Sequence, residues 1–193
     1  MFQVRIHGRG GQGAVTAAEM LSVAAFAEGR HAQAFPSFGS ERTGAPVVSF
    51  CRIDDAPIRN REPIAAPDAL IVQDPTLLHQ VDVFGGLPTE GSVLINSGKD
   101  PEGLGLSDLM QRLPDGRVLT VPATELAREH LGRPLPNAIL LGGFAAFTRV
   151  VSLDSVLTAI ARRFDGPIGE RNAAGARAAH DYVRSRTEAT SLA

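Results

Sequence analysis

Gly8, Gly10 and Gly13 stand in a G-x-G-x-x-G spacing within Ile6-His7-Gly8-Arg9-Gly10-Gly11-Gln12-Gly13-Ala14. Residue types of this kind can hold an anion. Glycine admits positive φ and lets a phosphate approach the backbone closely. A helix that starts directly behind such a loop adds unpaired N–H groups and the positive end of its dipole. Three readings of the loop stay open: a packing turn without ligand, a site for some phosphate or nucleotide, and a NAD or FAD site in the usual pose. The last wants an acidic residue about 20 positions further on, at the end of the second strand. Here that strand, His31-Ala32-Gln33-Ala34-Phe35, runs into Pro36-Ser37-Phe38; Glu28 comes too early and Glu41 too late. No P-loop lysine follows the glycines.

The remaining chemical inventory is thin. None of the five histidines, His7, His31, His79, His130 and His180, has a metal-type spacing to another ligand residue. His7 abuts the loop and reads either as a structural residue or as a ligand contact. Asp54-Asp55 reads as a turn rather than a carboxylate pair, and there is no G-x-S-x-G elbow. The single cysteine, Cys51, lies in an apolar strand pattern and reads as a small buried hydrophobe. One cysteine makes neither an internal disulfide nor a cluster site. A net charge of −2, 5% aromatic residues and no basic run argue against nucleic acid as a partner. No stretch is long and apolar enough to span a membrane, and no signal peptide is read at the N-terminus, so the expected compartment is the cytoplasm.

Elements must position these residues. Phe2 to Ile6 reads as a first strand away from the sheet edge, and Ala14 to Gly29 as an alanine-rich helix with Val15, Ala18, Leu21, Ser22 and Ala25 on one face. Pro36 to Pro46 has no period and many turn residues; it is either a plain surface loop or a docking loop. Val47 to Ile53 is a strand, with Ile58-Arg59 expected as the second arm of a hairpin. Ala69 to Gln73, Ser92 to Asn96 and Arg117 to Val121 are further strands; Thr76 to Val81 and Ser107 to Leu113 are short helices. Thr124 is expected to cap a helix over Glu125 to Leu131. Asn137 to Phe147 reads as a buried helix whose Gly142-Gly143 permits close approach, followed by amphipathic helices at Leu153 to Phe164 and Ile168 to about Arg186, with a frayed tail. The fold class expected is α/β: a Rossmann-like, mostly parallel sheet with helices on both faces and a helical C-terminal part. Residues 1–193 read as one domain.

Gly8-Arg9-Gly10-Gly11-Gln12-Gly13, followed by Ala17-Ala18-Glu19-Met20-Leu21, resembles the opening of the gamma subunit of the 2-oxoacid:acceptor oxidoreductases, the pyruvate:ferredoxin oxidoreductase type. Pro36-Ser37-Phe38-Gly39-Ser40-Glu41-Arg42-Thr43-Gly44-Ala45-Pro46-Val47 is a second and more specific match, at the right distance. Pro67-Asp68, Val93 to Ser97, the Ala123-Thr124 helix and Asn137 with Leu141-Gly142 also fit, so the resemblance runs to about Asn172. Pro122 departs from an Asp usual in the family, and Ile139 to Gly143 from a Met-Leu-Gly-Ala pattern. Indolepyruvate oxidoreductases share the first motif.

The resemblance implies a subunit without a complete active site. Thiamine diphosphate lies between alpha and beta chains in this family, and iron–sulfur clusters lie on beta and a ferredoxin-like delta chain. The whole converts a 2-oxoacid and coenzyme A to acyl-CoA and CO2. Electrons pass to ferredoxin, or to NAD through a flavin subunit. On that basis Gly8, Arg9, Gly10, Gly11, Gln12 and Gly13 are the candidate cofactor-binding residues, for a phosphate of coenzyme A or for a partner. Ser37, Phe38, Gly39, Ser40, Glu41, Arg42 and Thr43 are expected at an interface near the active site. Asn96, Thr124 and Asn137 are additional candidate contacts, and no residue is assigned a catalytic or metal role. The competing reading is a free-standing NAD-binding dehydrogenase domain.

Overall fold

The computed structural model of the chain describes residues 1–37 and 43–191, with side chains to residue 188. Its six strands are β1 (Phe2–Arg9), β2 (His31–Pro36), β3 (Pro46–Asp54), β4 (Ala69–Val72), β5 (Ser92–Asn96) and β6 (Val118–Val121). The helices are α1 (Ala14–Ala27), α2 (Ser107–Arg112), α3 (Ala123–Leu131), α4 (Asn137–Thr148), α5 (Leu153–Arg163) and α6 (Gly166–Ser191). The strands form one sheet in the order β2-β3-β1-β4-β5-β6. β1, β4, β5 and β6 pair in parallel, while β3 is antiparallel to both β1 and β2. All strands but β3 therefore point the same way, as the mostly parallel expectation required, and β1 is interior.

The hairpin differs from the one expected. β3 pairs with β2, and Ile58-Arg59 forms no strand. The reason is that both edges of β3 are already occupied, by β1 and by β2, which leaves no ladder for a third arm.

Side chains alternate along each strand, so the sheet builds two cores. Val4, Ile6, Ala69, Ile71 and Leu94 face α1, α3, α4, α5 and α6. Leu70, Val72, Val93 and Ile95 face a smaller layer made by α2 and the single turn Pro75–His79. Helices thus cover both faces, very unequally. On the smaller side the sheet carries two buried arginines. Arg5 donates to the carbonyls of Val83 and Gly85, at 2.7 Å each. Arg52 donates to the carbonyl of Glu62 at 2.6 Å and to Gln3 Oε1 at 3.1 Å. These guanidinium groups satisfy loop carbonyls that a strand or helix would otherwise pair.

Alanines bring α1 close to the sheet: Ala14, Ala17, Ala18, Met20, Leu21, Ala24 and Ala25 are buried, whereas Val15 and Ser22, expected on that face, are half-buried beside it. Gly29 follows its end at φ 78°. α4 is buried from Asn137 to Ala145. Gly142 lets it meet α6, since a Cβ there would strike the carbonyl of Ala176. α6 runs to Ser191, and its turns up to Val183 are held by the core.

Candidate functional site

In an open parallel sheet, ligands bind outside the carboxyl ends of the strands where the strand order reverses. Here that place lies between β1 and β4, since the chain goes from β1 to β2 and β3 on one side and to β4, β5 and β6 on the other. The glycine loop leaves β1 at this point. Gly8 still pairs with Val47, and a Cβ on it would come 2.7 Å from Gln73 Oε1. Gly11 and Gly13 have positive φ, 93° and 78°. Gly11 faces open space, and Gly13 is the N-cap residue of α1 without any side-chain cap. The first N–H groups of α1 thus have no side-chain cap.

The polar side chains of the loop are already committed. Arg9 Nε pairs with Asp74 Oδ2 at 3.0 Å, and its other nitrogens donate to the Gly44 carbonyl (3.0 Å), Thr76 Oγ1 (2.6 Å) and Gln80 Oε1 (2.8 Å). Gln12 accepts from the Arg9 N–H and donates to the same Asp74 oxygen, at 2.8 Å each. The other Asp74 oxygen accepts from the backbone and hydroxyl of Thr76. Burial raises the Asp74 pKa, but the Thr76 and Gln12 bonds and the Arg9 charge outweigh it and hold the carboxyl below its ordinary value. Arg9 and Gln12 therefore shape the loop rather than reach toward a ligand.

The second motif comes to the same edge. Ser37 N–H donates to Val48 and extends the β2–β3 ladder. Thr43 forms an isolated parallel bridge with Gly10. Gly10 N–H donates to Ala45 at 2.9 Å, and Gly44 N–H donates to Gly10 at 3.0 Å. Two stretches read separately in the sequence are clasped backbone to backbone. Phe38, Gly39, Ser40, Glu41 and Arg42 lie outside the described residues.

The additional candidates divide. Asn137 begins α4, is 8% exposed, and sets its side chain against Gly13. Asn96 and Thr124 stand apart and bind each other: Asn96 Nδ2 donates to Thr124 Oγ1 (2.7 Å) and to the Gln73 carbonyl (2.8 Å), and Thr124 N–H donates to Asn96 Oδ1 (3.0 Å). Thr124 consequently does not cap its helix. α3 starts two residues earlier than expected, at Ala123, and the side chain that serves its first turn comes from β5.

Sequence reasoning missed Asp74 and Gln73, although both follow a strand at the reversal point, which was the available signal. Gln73 is buried with neither amide atom hydrogen-bonded, and His7 beside it is buried with Nδ1 unpaired. His7 Nε2 accepts from Arg5 Nε at 3.0 Å; burial and the Arg5 charge lower its pKa to about 4, so it is neutral at pH 7. Among the described residues no group of three or more His, Cys, Asp or Glu could hold a metal ion.

Fold and site together define an α/β domain with a glycine loop at the carboxyl edge of its sheet and no assembled catalytic group among the described residues. A sequence model of the family described as pyruvate ferredoxin/flavodoxin oxidoreductase matches residues 3–182. The chain is 48% identical over 183 residues to a pyruvate synthase subunit PorC of Methanothermobacter thermautotrophicus, covering 95% of this chain and 96% of that one. It is 48% identical over 184 residues to the pyruvate/ketoisovalerate oxidoreductases common subunit gamma of Pyrococcus abyssi, covering 95% and 98%. The crystal structure of pyruvate oxidoreductase subunit PORC from Thermotoga maritima superposes with a TM-score of 0.78 at 33% identity, covering 93% of this chain and 95% of that chain. The chain belongs to the pyruvate ferredoxin/flavodoxin oxidoreductase family, as a gamma-type subunit chain.

Proposed function

We propose that this gamma chain, one domain over residues 1–193, forms the edge of a 2-oxoacid oxidoreductase that receives coenzyme A. The observation that carries the reading is the clasp of Gly10 onto Thr43, Gly44 and Ala45 beside the uncapped N-terminus of α1. On this reading a phosphate-type site lies beside Thr43, Gly44 and Ala45 of the second motif. The assembled enzyme oxidatively decarboxylates a 2-oxoacid to an acyl-CoA, with electrons leaving to ferredoxin, or to NAD through a flavin subunit. Its thiamine diphosphate and iron–sulfur clusters belong on alpha-, beta- and delta-type partners. The residues of this chain do not fit a cluster: its single cysteine is buried in the core of the larger face. No described helix is long and apolar enough to cross a membrane, and we place the complex in the cytoplasm. The dehydrogenase alternative is not favoured, since β2 ends in Pro36 without a carboxylate and the relatives are oxidoreductase subunits.

Gly11→Val in the reconstituted complex tests this. Gly11 faces open space, so the added side chain stands where a phosphate would approach. Gly105, also at positive φ and facing open space, supplies a control variant, Gly105→Val, with matched backbone strain. Gly11→Val should raise the KM for coenzyme A roughly tenfold or more, the loss of one charged hydrogen bond, while Gly105→Val should not. An unchanged KM in Gly11→Val would leave the loop a turn.

A further inference from the structure

A cleft of about 380 Å³ is bounded by the first turn of α1, the start of α4, the end of α5 and the start of α6. That volume is in the range of small-molecule sites. Leu131, Leu135, Phe164 and Ile168 form its apolar walls, and Ile168, 59% exposed, and Leu135, 37% exposed, are among the few large apolar side chains open to solvent. Arg133, Arg163 and Arg171 line the same cleft, and no carboxylate does. Asp165 and Glu170 are neighbours in sequence, yet among the described residues none of the three arginines has an ion pair. Arg163 instead lies over the Phe164 ring, 5.4 Å from its centre.

Two further observations point to a ligand. Asn137 also lines the cleft; the residue is 8% exposed, and its amide has no hydrogen-bond partner among the described residues. Its donors and acceptor are therefore free to bind a group in the cleft. The N-terminus of α4 opens here without a side-chain cap, so its unpaired N–H groups and positive dipole end lie at the cleft.

We propose that this cleft binds a nucleotide. The apolar walls and the stacked Arg163–Phe164 pair take the flat base. Arg133, Arg171, the Asn137 amide and the start of α4 take the phosphate, for which a planar guanidinium fork is suited. The site goes beyond the coenzyme A reading of the glycine loop and does not require it.

The test is calorimetric titration of the full chain with ADP, adenosine and inorganic phosphate. ADP should bind, and more tightly than either of the other two. Arg133 and Arg171 are exposed, so Arg133→Ala and Arg171→Ala should leave the thermal midpoint unchanged and each weaken ADP roughly tenfold or more. Gly11→Val should leave ADP binding intact. Absence of ADP binding, or phosphate binding as tightly as ADP, overturns the proposal. So does loss of ADP binding in Gly11→Val, which would move the nucleotide to the glycine loop. Arginine variants that keep ADP affinity but lose affinity for partner chains would make the cleft a protein interface, and the proposal would be wrong.

Discussion

Asp74→Asn should unfasten the glycine loop. In the native chain one carboxylate oxygen accepts from Arg9 Nε and Gln12 Nε2 and the other from Thr76. The amide keeps an acceptor for Thr76 but turns a donor toward two donors. The Arg9 and Asp74 side chains are only 20% and 14% exposed, so water screens the pair weakly. Hydrogen bonds to charged groups are worth about 1.5–3 kcal/mol net, against less than about 1 for an exposed pair. A loss of about 2–3 kcal/mol is expected at pH 7. In a chain of this length that is a drop of roughly 4–12 °C in thermal midpoint. The pH dependence has a definite sign. A carboxyl held below its ordinary pKa stabilises the fold fully above that ordinary value, about 3.9, and the contribution fades as pH falls through the lower folded value. Differential scanning fluorimetry or denaturant titration of both proteins from pH 7 downward should show the gap narrowing only in the acid range. Comparing the two proteins cancels the His7 contribution, which declines between its ordinary value near 6.5 and its folded value of about 4. Equal midpoints at pH 7, or a gap that persists once the carboxyl is protonated, would refute the idea that Asp74 ties the loop down.

Further expectations concern the scaffold and its reactive groups. Gly142→Ala should lower the midpoint, because overpacking against the fixed Ala176 carbonyl costs about 1–3 kcal/mol or more and outweighs the ~1 kcal/mol helix propensity gain. Gly143→Ala comes tightly against only the movable Val183 side chain, at 3.3 Å, with Leu94 and the Ala179 carbonyl at ordinary contact distance, and should be near neutral; equal effects of the two would remove the close-approach argument. Asn96→Ala should cost about 2 kcal/mol through the lost α3 and Gln73 contacts, read as a lower denaturation midpoint; an unchanged midpoint would show those bonds to be replaceable by water. Burial pushes the Cys51 thiol up to about 12, so native protein should resist thiol reagents at pH 8 and react only on unfolding; fast labelling of native protein would contradict its place in the core.

The parts legible in the sequence are those whose signal is local. β1, its glycine loop and α1 follow from a short β-branched run, three spaced glycines and an alanine-rich segment. β4, β5 and α4 follow from unbroken apolar runs, and Gly142 was correctly read as a point of close approach. What escaped depends on pairing across distance. β3 has an ordinary strand pattern, and nothing in it says that it runs against both of its neighbours, β1 and β2. Arg9 reads as a candidate cofactor contact, and nothing near it in sequence tells of Asp74, 65 residues away, with which it pairs. Thr124 reads as a cap because its type fits, but Asn96 takes that role from across the sheet edge. The glycine loop and Thr43 are joined by backbone bonds, which carry no side-chain signature. The interface reading of Phe38 and Arg42 falls outside the described residues.

The central claim is that this chain is a gamma subunit working only with its partners. The most direct measurement is coenzyme A-dependent oxidation of pyruvate and other 2-oxoacids by the alpha-, beta- and delta-type chains, with and without this chain added. Its addition should restore activity and bring the chain into one complex on size exclusion. Full activity of the partner chains alone, or no association with them, would contradict the account.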